Sequence, residues 1–200
     1  MSANRDAPLT LAITGASGAP YAVRLLLALN DAEVATRLIV SRYGLRLLAE
    51  ECGINGLEEL RAATGDWSRV EVFESADRGA TPASGSAPSR GMVICPCSMG
   101  TLASIAAGIS RSLVERAADV TLKERRPLLL VPRETPFSPI HLENLLRLSR
   151  AGATILPASP GFYNRPERIG DLVDFVVARI LDHVDVEHSI GNRWESGTKD

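Results

Sequence analysis

Between Arg116 and Glu134 the chain reads RAADVTLKERRPLLLVPRE. Arg116, Lys123 and Arg126 recur at helical spacing, which puts them near one side of a helix ending at Arg126. Pro127 stops that helix, and residues 128–131 (LLLV) form a short apolar run of the kind buried on both faces of a parallel sheet. The run ends in Pro132, Arg133 and Glu134, a cation and a carboxylate where a parallel strand leaves its sheet. Open α/β sheets bind ligands at that edge. The chemistry on offer is recognition of an anion, with every cation of the stretch directed at one ligand.

Two other junctions carry small, hydroxylated residues. Gly15-Ala16-Ser17-Gly18 follows an apolar run and precedes a helix opened by Pro20. Its glycines permit positive φ and close backbone approach, the helix end offers free N–H groups, and Ser17 adds a hydroxyl. The same residues read equally well as a tight turn with a capping serine. Cys97-Ser98-Met99-Gly100-Thr101 repeats the arrangement. Together the two suggest a mononucleotide lying across strand ends, touched by Ser17, Ser41, Ser98 and Thr101. The pattern is not G-x-G-x-x-G, which disfavours a nicotinamide oxidoreductase.

The remaining reactive types are read as structural. Cys95 and Cys97 have no histidine nearby in sequence and make a poor zinc site; they read as small buried residues at a turn. Residues 75–90 (SADRGATPASGSAPSR) form a loop that serves either as a linker or, around PASGS, as an anion-binding nest. Glu51 at a helix end reads as solvated. His141 and Glu143 suit the first turns of a helix, and Met92 and Met99 suit a core.

These residues need a frame. Strands are expected over residues 9–14, 35–40, 70–74, 91–95, 128–131 and 153–156. Helices are expected from Pro20 and over 42–51, 57–63, 99–108, 112–126, 139–150 (capped by Ser138) and 168–183. The alternation predicts an α/β fold, a doubly wound, Rossmann-like or flavodoxin-like and mostly parallel sheet with helices on both faces. One domain over residues 1–190 and a tail over 191–200 account for the length, and 200 residues bury a full core without staples. A net charge of −2 and a pI near 6.0 argue against a general nucleic-acid binder, so the cations are local. Three cysteines are too few for a disulfide framework and suggest a reducing compartment. No apolar run approaches the roughly 18 residues of a membrane span, and MSANRDAPLT has no signal-peptide core. A cytoplasmic protein is expected.

Five blocks in this order, GASGA, ICPCSMGTLA, ERAADVTLKERRPL, VPRETPFSPIHLENLLRL and ILPASPGFYNRP, closely resemble the UbiX-type flavin prenyltransferases. The resemblance runs from Leu9 to the Arg193-Trp194 pair. It implies an enzyme that joins a dimethylallyl group from dimethylallyl phosphate to N5 and C6 of reduced FMN, without a metal. The product would be the prenylated FMN cofactor of UbiD-type decarboxylases, and the assembly a homododecamer with sites between subunits. Carried over by motif, Gly15, Ala16, Ser17, Ser41, Ser98, Met99, Thr101 and Arg116 would contact FMN. Lys123, Arg133, Glu134, Tyr163 and Arg179 would surround the prenyl phosphate, some of them from neighbouring chains, and Ser84, Gly85 and Ser86 would line the prenyl side. Glu51, Glu134 and Lys123 would be catalytic, Glu51 as acid/base near the flavin and Glu134 beside the phosphate. Arg125 and Arg126 drop out of the site as a structural pair.

The chemistry explains these types. Departing phosphate needs preorganised Lys and Arg charge, the cationic allyl fragment needs an aromatic surface such as Tyr163, and ring closure at C6 needs a base. Reduced flavin is itself the nucleophile, which agrees with the missing Ser-His or Cys-His pair. One departure stands out: Arg78 occupies a position where the resemblance leads one to expect an aromatic or aliphatic wall for the prenyl pocket. Two rivals remain. A flavin-dependent cysteine decarboxylase of related fold would carry a catalytic histidine and a Pro-x-Met-Asn segment, where this chain reads PRETPFSPIHLEN. A non-catalytic FMN-binding subunit of a decarboxylase would not need a second phosphate site.

Overall fold

The computed structural model describes residues 6–191. The Arg193-Trp194 end of the resemblance, and all of the expected tail except Gly191, lie outside the described residues. Six strands form one parallel sheet: β1 (Leu9–Ile13), β2 (Thr36–Val40), β3 (Val70–Glu74), β4 (Gly91–Cys97), β5 (Leu128–Pro132) and β6 (Thr154–Ile155). Their order is β3-β2-β1-β4-β5-β6. Seven α-helices complete the described chain: α1 (Ala19–Asp31), α2 (Arg42–Cys52), α3 (Leu57–Thr64), α4 (Met99–Ala106), α5 (Leu113–Lys123), α6 (Pro139–Arg150) and α7 (Ile169–His183). The doubly wound α/β architecture expected from the alternation is the one found.

Strand periodicity divides the core in two. Leu9, Leu11 and Ile13 of β1, with Leu129 and Val131 of β5, pack beneath Leu25 and Leu29 of α1 and Val177 and Leu181 of α7. Ala12, Met92, Ile94 and Leu130 face the other way, under Leu102 of α4, Ala117 of α5 and Leu148 of α6. β1, β4 and β5 are buried along their whole length, as strands covered on both faces must be. Each fully buried leucine contributes about 1.5–3 kcal/mol. The two edge strands, β3 and β6, are the half-exposed exceptions.

Among the boundaries that differ from expectation, three bear on the site and the sheet. β4 continues through Pro96 to Cys97, with its register against β5 shifting between Ile94 and Cys97, so Cys97 rejoins the face of Ile94. β6 keeps only two residues, paired with β5 at Leu129↔Thr154 and Leu130↔Ile155. The cationic helix α5 ends at Lys123, not Arg126. Arg125 turns left-handed (φ 53°), and the N–H groups of Arg125 and Arg126 return to the carbonyls of Leu122 and Thr121. That is a Schellman closure with arginine where glycine is usual, and Pro127 follows it as a stop. Ser138 caps α6 as expected, accepting the His141 N–H at 3.2 Å while His141 Nδ1 accepts the Ser138 N–H at 3.2 Å.

Candidate active site

The order of strands along the sheet reverses between β1 and β4, which run parallel, so a crevice opens beyond their carboxyl ends. Thr14, at the end of β1, joins its walls. The Thr14 hydroxyl is buried, donates to Pro96 O at 2.8 Å and accepts the Ser98 N–H at 2.8 Å. Sequence reading missed Thr14; its signal was a hydroxyl closing a largely apolar run. The N-termini of α1, α2 and α4 all follow strands that end here. Ser41 accepts the Gly44 N–H at 3.0 Å, and Ser98 accepts the Thr101 N–H at 3.2 Å while donating to Thr101 Oγ1 at 3.0 Å. Both serines are therefore helix caps, which fixes their hydroxyls at the crevice. The backbone glycines serve different needs: a Cβ at Gly15 would lie 2.5 Å from Tyr43 Cβ, and Gly18 has φ 123°.

Ser17 is not the capping serine. α1 has Gly18 at its N-cap and no side-chain cap there. The anion that meets this helix end comes from α2: Glu51 Oε2 accepts the N–H groups of Gly18 and Ala19, each at 2.8 Å. Glu51 is exposed at the helix end, as read, but its carboxylate is engaged rather than free. Local order along α2 cannot reveal a contact made to residues more than thirty positions earlier. Partial burial pushes the Glu51 carboxyl up. The Gly18 N–H, the Ser17 hydroxyl, the Ala19 N–H and the Arg133 charge outweigh that and hold it below its ordinary value. Arg133 closes the group by donating from Nε to Ser17 O at 3.1 Å. Glu134 turns its Oε1 to the Thr135 N–H at 3.1 Å. Ser17, Glu51 and Arg133 thus meet at one helix end. Ser41, Ser98, Met99 and Thr101 stand at the N-terminal ends of α2 and α4.

The other cations are elsewhere. Arg116 and Lys123 share a face of α5, as expected, but each has an acidic partner that the sequence reading did not single out. Arg116 pairs with Asp119 at 2.8 Å, and Lys123 pairs with Glu124. α5 starts beside the exit of β3, where the Leu113 N–H donates to Ser75 O. It ends beside the entry of β4, where Pro127 O accepts the Met92 N–H. Lys123 therefore sits at the edge of the sheet opposite Arg133. Ser84, Gly85 and Ser86 sit there too, since a Cβ on Gly85 would lie 2.9 Å from Lys123 Nζ. Arg126, no longer on the helix, reaches the same loop.

Tyr163 and Arg179 meet in a third place, an open cleft of about 780 Å³ that they line with Arg165, Phe175 and His188. The Tyr163 ring stands edge-on to Phe175 at 5.6 Å, and Arg179 pairs with Asp182 at 2.8 Å, which His188 contacts from its other oxygen at 3.2 Å. Arg78 is exposed. Cys95 and Cys97 are fully buried. Burial raises the Cys95 thiol, with Cys97 adding to the shift, and burial pushes Cys97 up to about 12. Neither is a nucleophile at neutral pH. Among the described residues no helix is long and apolar enough to cross a membrane.

A crevice at the β1/β4 switch, ringed by three helix N-termini and capping hydroxyls, fits a phosphate-bearing mononucleotide. The flavoprotein family matches residues 2–181. The flavin prenyltransferase UbiX of Pseudomonas aeruginosa is 49% identical over 197 residues, 93% of each chain. The chain belongs to the flavoprotein family, in its UbiX-type branch. Two flavoprotein structures match closely. The crystal structure of AnUbiX (PadA1) in complex with FMN and dimethylallyl pyrophosphate is 40% identical, with a TM-score of 0.90 over 97% of this chain and 100% of that one. The dodecameric FMN-dependent UbiX-like decarboxylase from Escherichia coli O157:H7 is 45% identical, with a TM-score of 0.88 over 94% and 100%. The cypemycin decarboxylase CypD, at 19% identity and a TM-score of 0.63, shares the flavoprotein fold alone.

Proposed function

We propose that this flavoprotein is a flavin prenyltransferase that transfers a dimethylallyl group from dimethylallyl phosphate to N5 and C6 of reduced FMN. The product would serve UbiD-type decarboxylases, and the enzyme would work in the cytoplasm. The observation that carries the reading is the meeting of Ser17, Glu51 and Arg133 at the α1 N-terminus. There an ionised carboxylate and a cation share one helix end at the carboxyl edge of the sheet.

Gly15, Ala16, Ser17, Ser41, Ser98, Met99, Thr101 and Arg116 hold FMN, which when bound supplies the electron-rich N5 and C6 positions. Lys123, Arg133, Tyr163 and Arg179 bind the prenyl phosphate and stabilise the charge that leaves as the allylic C–O bond breaks. Glu134 acts beside that phosphate, and Ser84, Gly85 and Ser86 line the prenyl side. Glu51 is the proton acceptor at Oε2, since its ionised form is the one that takes a proton. Lys123, Arg133 and the Tyr163–Arg179 pair occupy three places on one protomer and reach one phosphate from neighbouring protomers, so the working unit is an oligomer, in our reading the dodecamer. Ile140, Leu142 and Leu146 of α6 stand exposed at 67%, 53% and 51%, apolar surface suited to such contacts. Residues 1–190 form the flavin domain and 191–200 a tail.

The test is anaerobic incubation with reduced FMN and dimethylallyl phosphate, followed by mass analysis of the extracted flavin. A prenylated flavin is expected. Unmodified flavin, with both ligands shown to bind, would sink the proposal.

A further inference from the structure

Arg126 lies outside the residues assigned above to either ligand, yet its placement is specific. The left-handed turn at Arg125 ends α5 and swings Arg126 toward the loop before β4. There its Nη2 donates to Gly85 O at 2.6 Å, in a partly buried contact between residues 41 apart in sequence. The same loop is pinned from the next element as well. Arg37 of β2, only 8% exposed, donates from Nη1 to Pro88 O at 3.0 Å.

Two guanidinium groups thus take two carbonyls of one Ser- and Gly-rich segment. The Ser84 and Ser86 hydroxyls lie 3.0 Å apart on that segment. Lys123 and Glu124 close against Gly85, where a Cβ would meet Glu124 Oε1 and come within 2.9 Å of Lys123 Nζ. Such a segment is costly to order. A carbonyl left facing the ligand would also repel a phosphate. A charge-assisted bond from arginine removes both difficulties at once.

We propose that Arg126 is a positioning residue for prenyl-phosphate binding. Its guanidinium holds the Gly85 carbonyl so that the Ser84 and Ser86 hydroxyls and the Lys123 ammonium form one preassembled anion site, presented to a neighbouring protomer. The proposal rests on the flavin prenyltransferase reading.

The experiment uses the assembled enzyme with reduced FMN and dimethylallyl phosphate. Arg126→Ala is expected to raise KM for the prenyl phosphate about tenfold or more, with FMN affinity within about twofold of wild type. Millimolar guanidinium is expected to restore most of the loss, and Arg126→Lys to fall between. A wild-type KM in Arg126→Ala overturns the proposal. So does a joint fall in kcat, FMN affinity and Tm that guanidinium does not relieve, since that marks a role in the fold alone. Gly85→Ala keeps Arg126 but displaces the Lys123 ammonium and the Glu124 carboxylate from their places against the loop, and is expected to raise the same KM. An unchanged KM there overturns the proposal whether or not Arg126→Ala folds. Failure of the wild-type enzyme to prenylate flavin would instead remove the underlying reading.

Discussion

Lys123 and Arg133 lie beyond opposite ends of β5, one before the strand enters the sheet and the other after it leaves. The strand has five residues, and at about 3.3 Å per residue it holds the two cations roughly 16 Å apart along its axis. A lysine side chain does not bridge that gap to a single phosphate. If the two act together, they do so across a protomer boundary.

Co-expression of Lys123→Ala with Arg133→Ala chains therefore tests the boundary directly. Each variant alone should be nearly inactive. In a randomly mixed oligomer about a quarter of the sites would be built from two intact halves, and activity should recover toward that fraction. Recovery absent from oligomers shown to be mixed would place both cations in one protomer's site.

Glu51 caps α1 through its carboxylate, and its folded-state pKa is depressed. Such a group contributes stability that is fully present above the unfolded pKa and is lost as pH falls through the folded one. Glu51→Gln should thus lower Tm at neutral pH, and the gap to wild type should shrink as pH falls through the depressed folded-state value, where the native carboxylate itself protonates. Thermal unfolding across pH reads this out. A gap of constant size at every pH would assign the loss to something other than the ionised cap.

Arg125 is left-handed at the Schellman closure, a conformation that costs a residue with Cβ about 1 kcal/mol relative to glycine. Arg125→Gly should stabilise the protein by roughly 0.5–1 kcal/mol, offset in part by glycine's greater freedom when unfolded. That corresponds to a rise of about 1–4 °C in Tm for a domain of this size. An unchanged or lower Tm would mean that the Arg125 side chain contributes as much as its strain costs.

Cys95 and Cys97 are sealed in the core with raised thiol pKa values, and Cys52 is half-buried. Brief alkylation of the native protein at neutral pH should mark Cys52 at most, as read by peptide mass analysis. Modification of Cys97 at the rate of a free thiol would show that its end of β4 opens.

The frame was legible because its signals are local. Apolar runs of strand length gave β1, β2, β4 and β5, and Ser138 followed by Pro139 marked the start of α6. What escaped was long-range or locally atypical. An arginine in a glycine position ended α5 three residues early, and no rule of spacing anticipates that. Glu51 reads as an unengaged surface carboxylate until Gly18 and Ala19 are brought to it by the packing of α1 against α2. The motif placed Lys123 and Arg133 near each other in sequence. The separation of the two became visible only once α5 was seen to run against the strands, from one sheet edge to the other.

The covering of α1 by α7 has a consequence for how the protein must be made. Leu25 and Leu29 lie beneath Val177 and Leu181, and Arg24 is paired with Asp174 at 2.6 Å. The Arg90 guanidinium also reaches the carbonyls of Val184 and Asp185 just past the end of α7. On the ribosome, the first helix is synthesised some 140 residues ahead of its cover, counting from Leu29 to Ile169. Its apolar face therefore stays open through most of translation. A chain released before α7 emerges would carry that surface into solution, making premature termination a route to aggregation rather than to a smaller working domain.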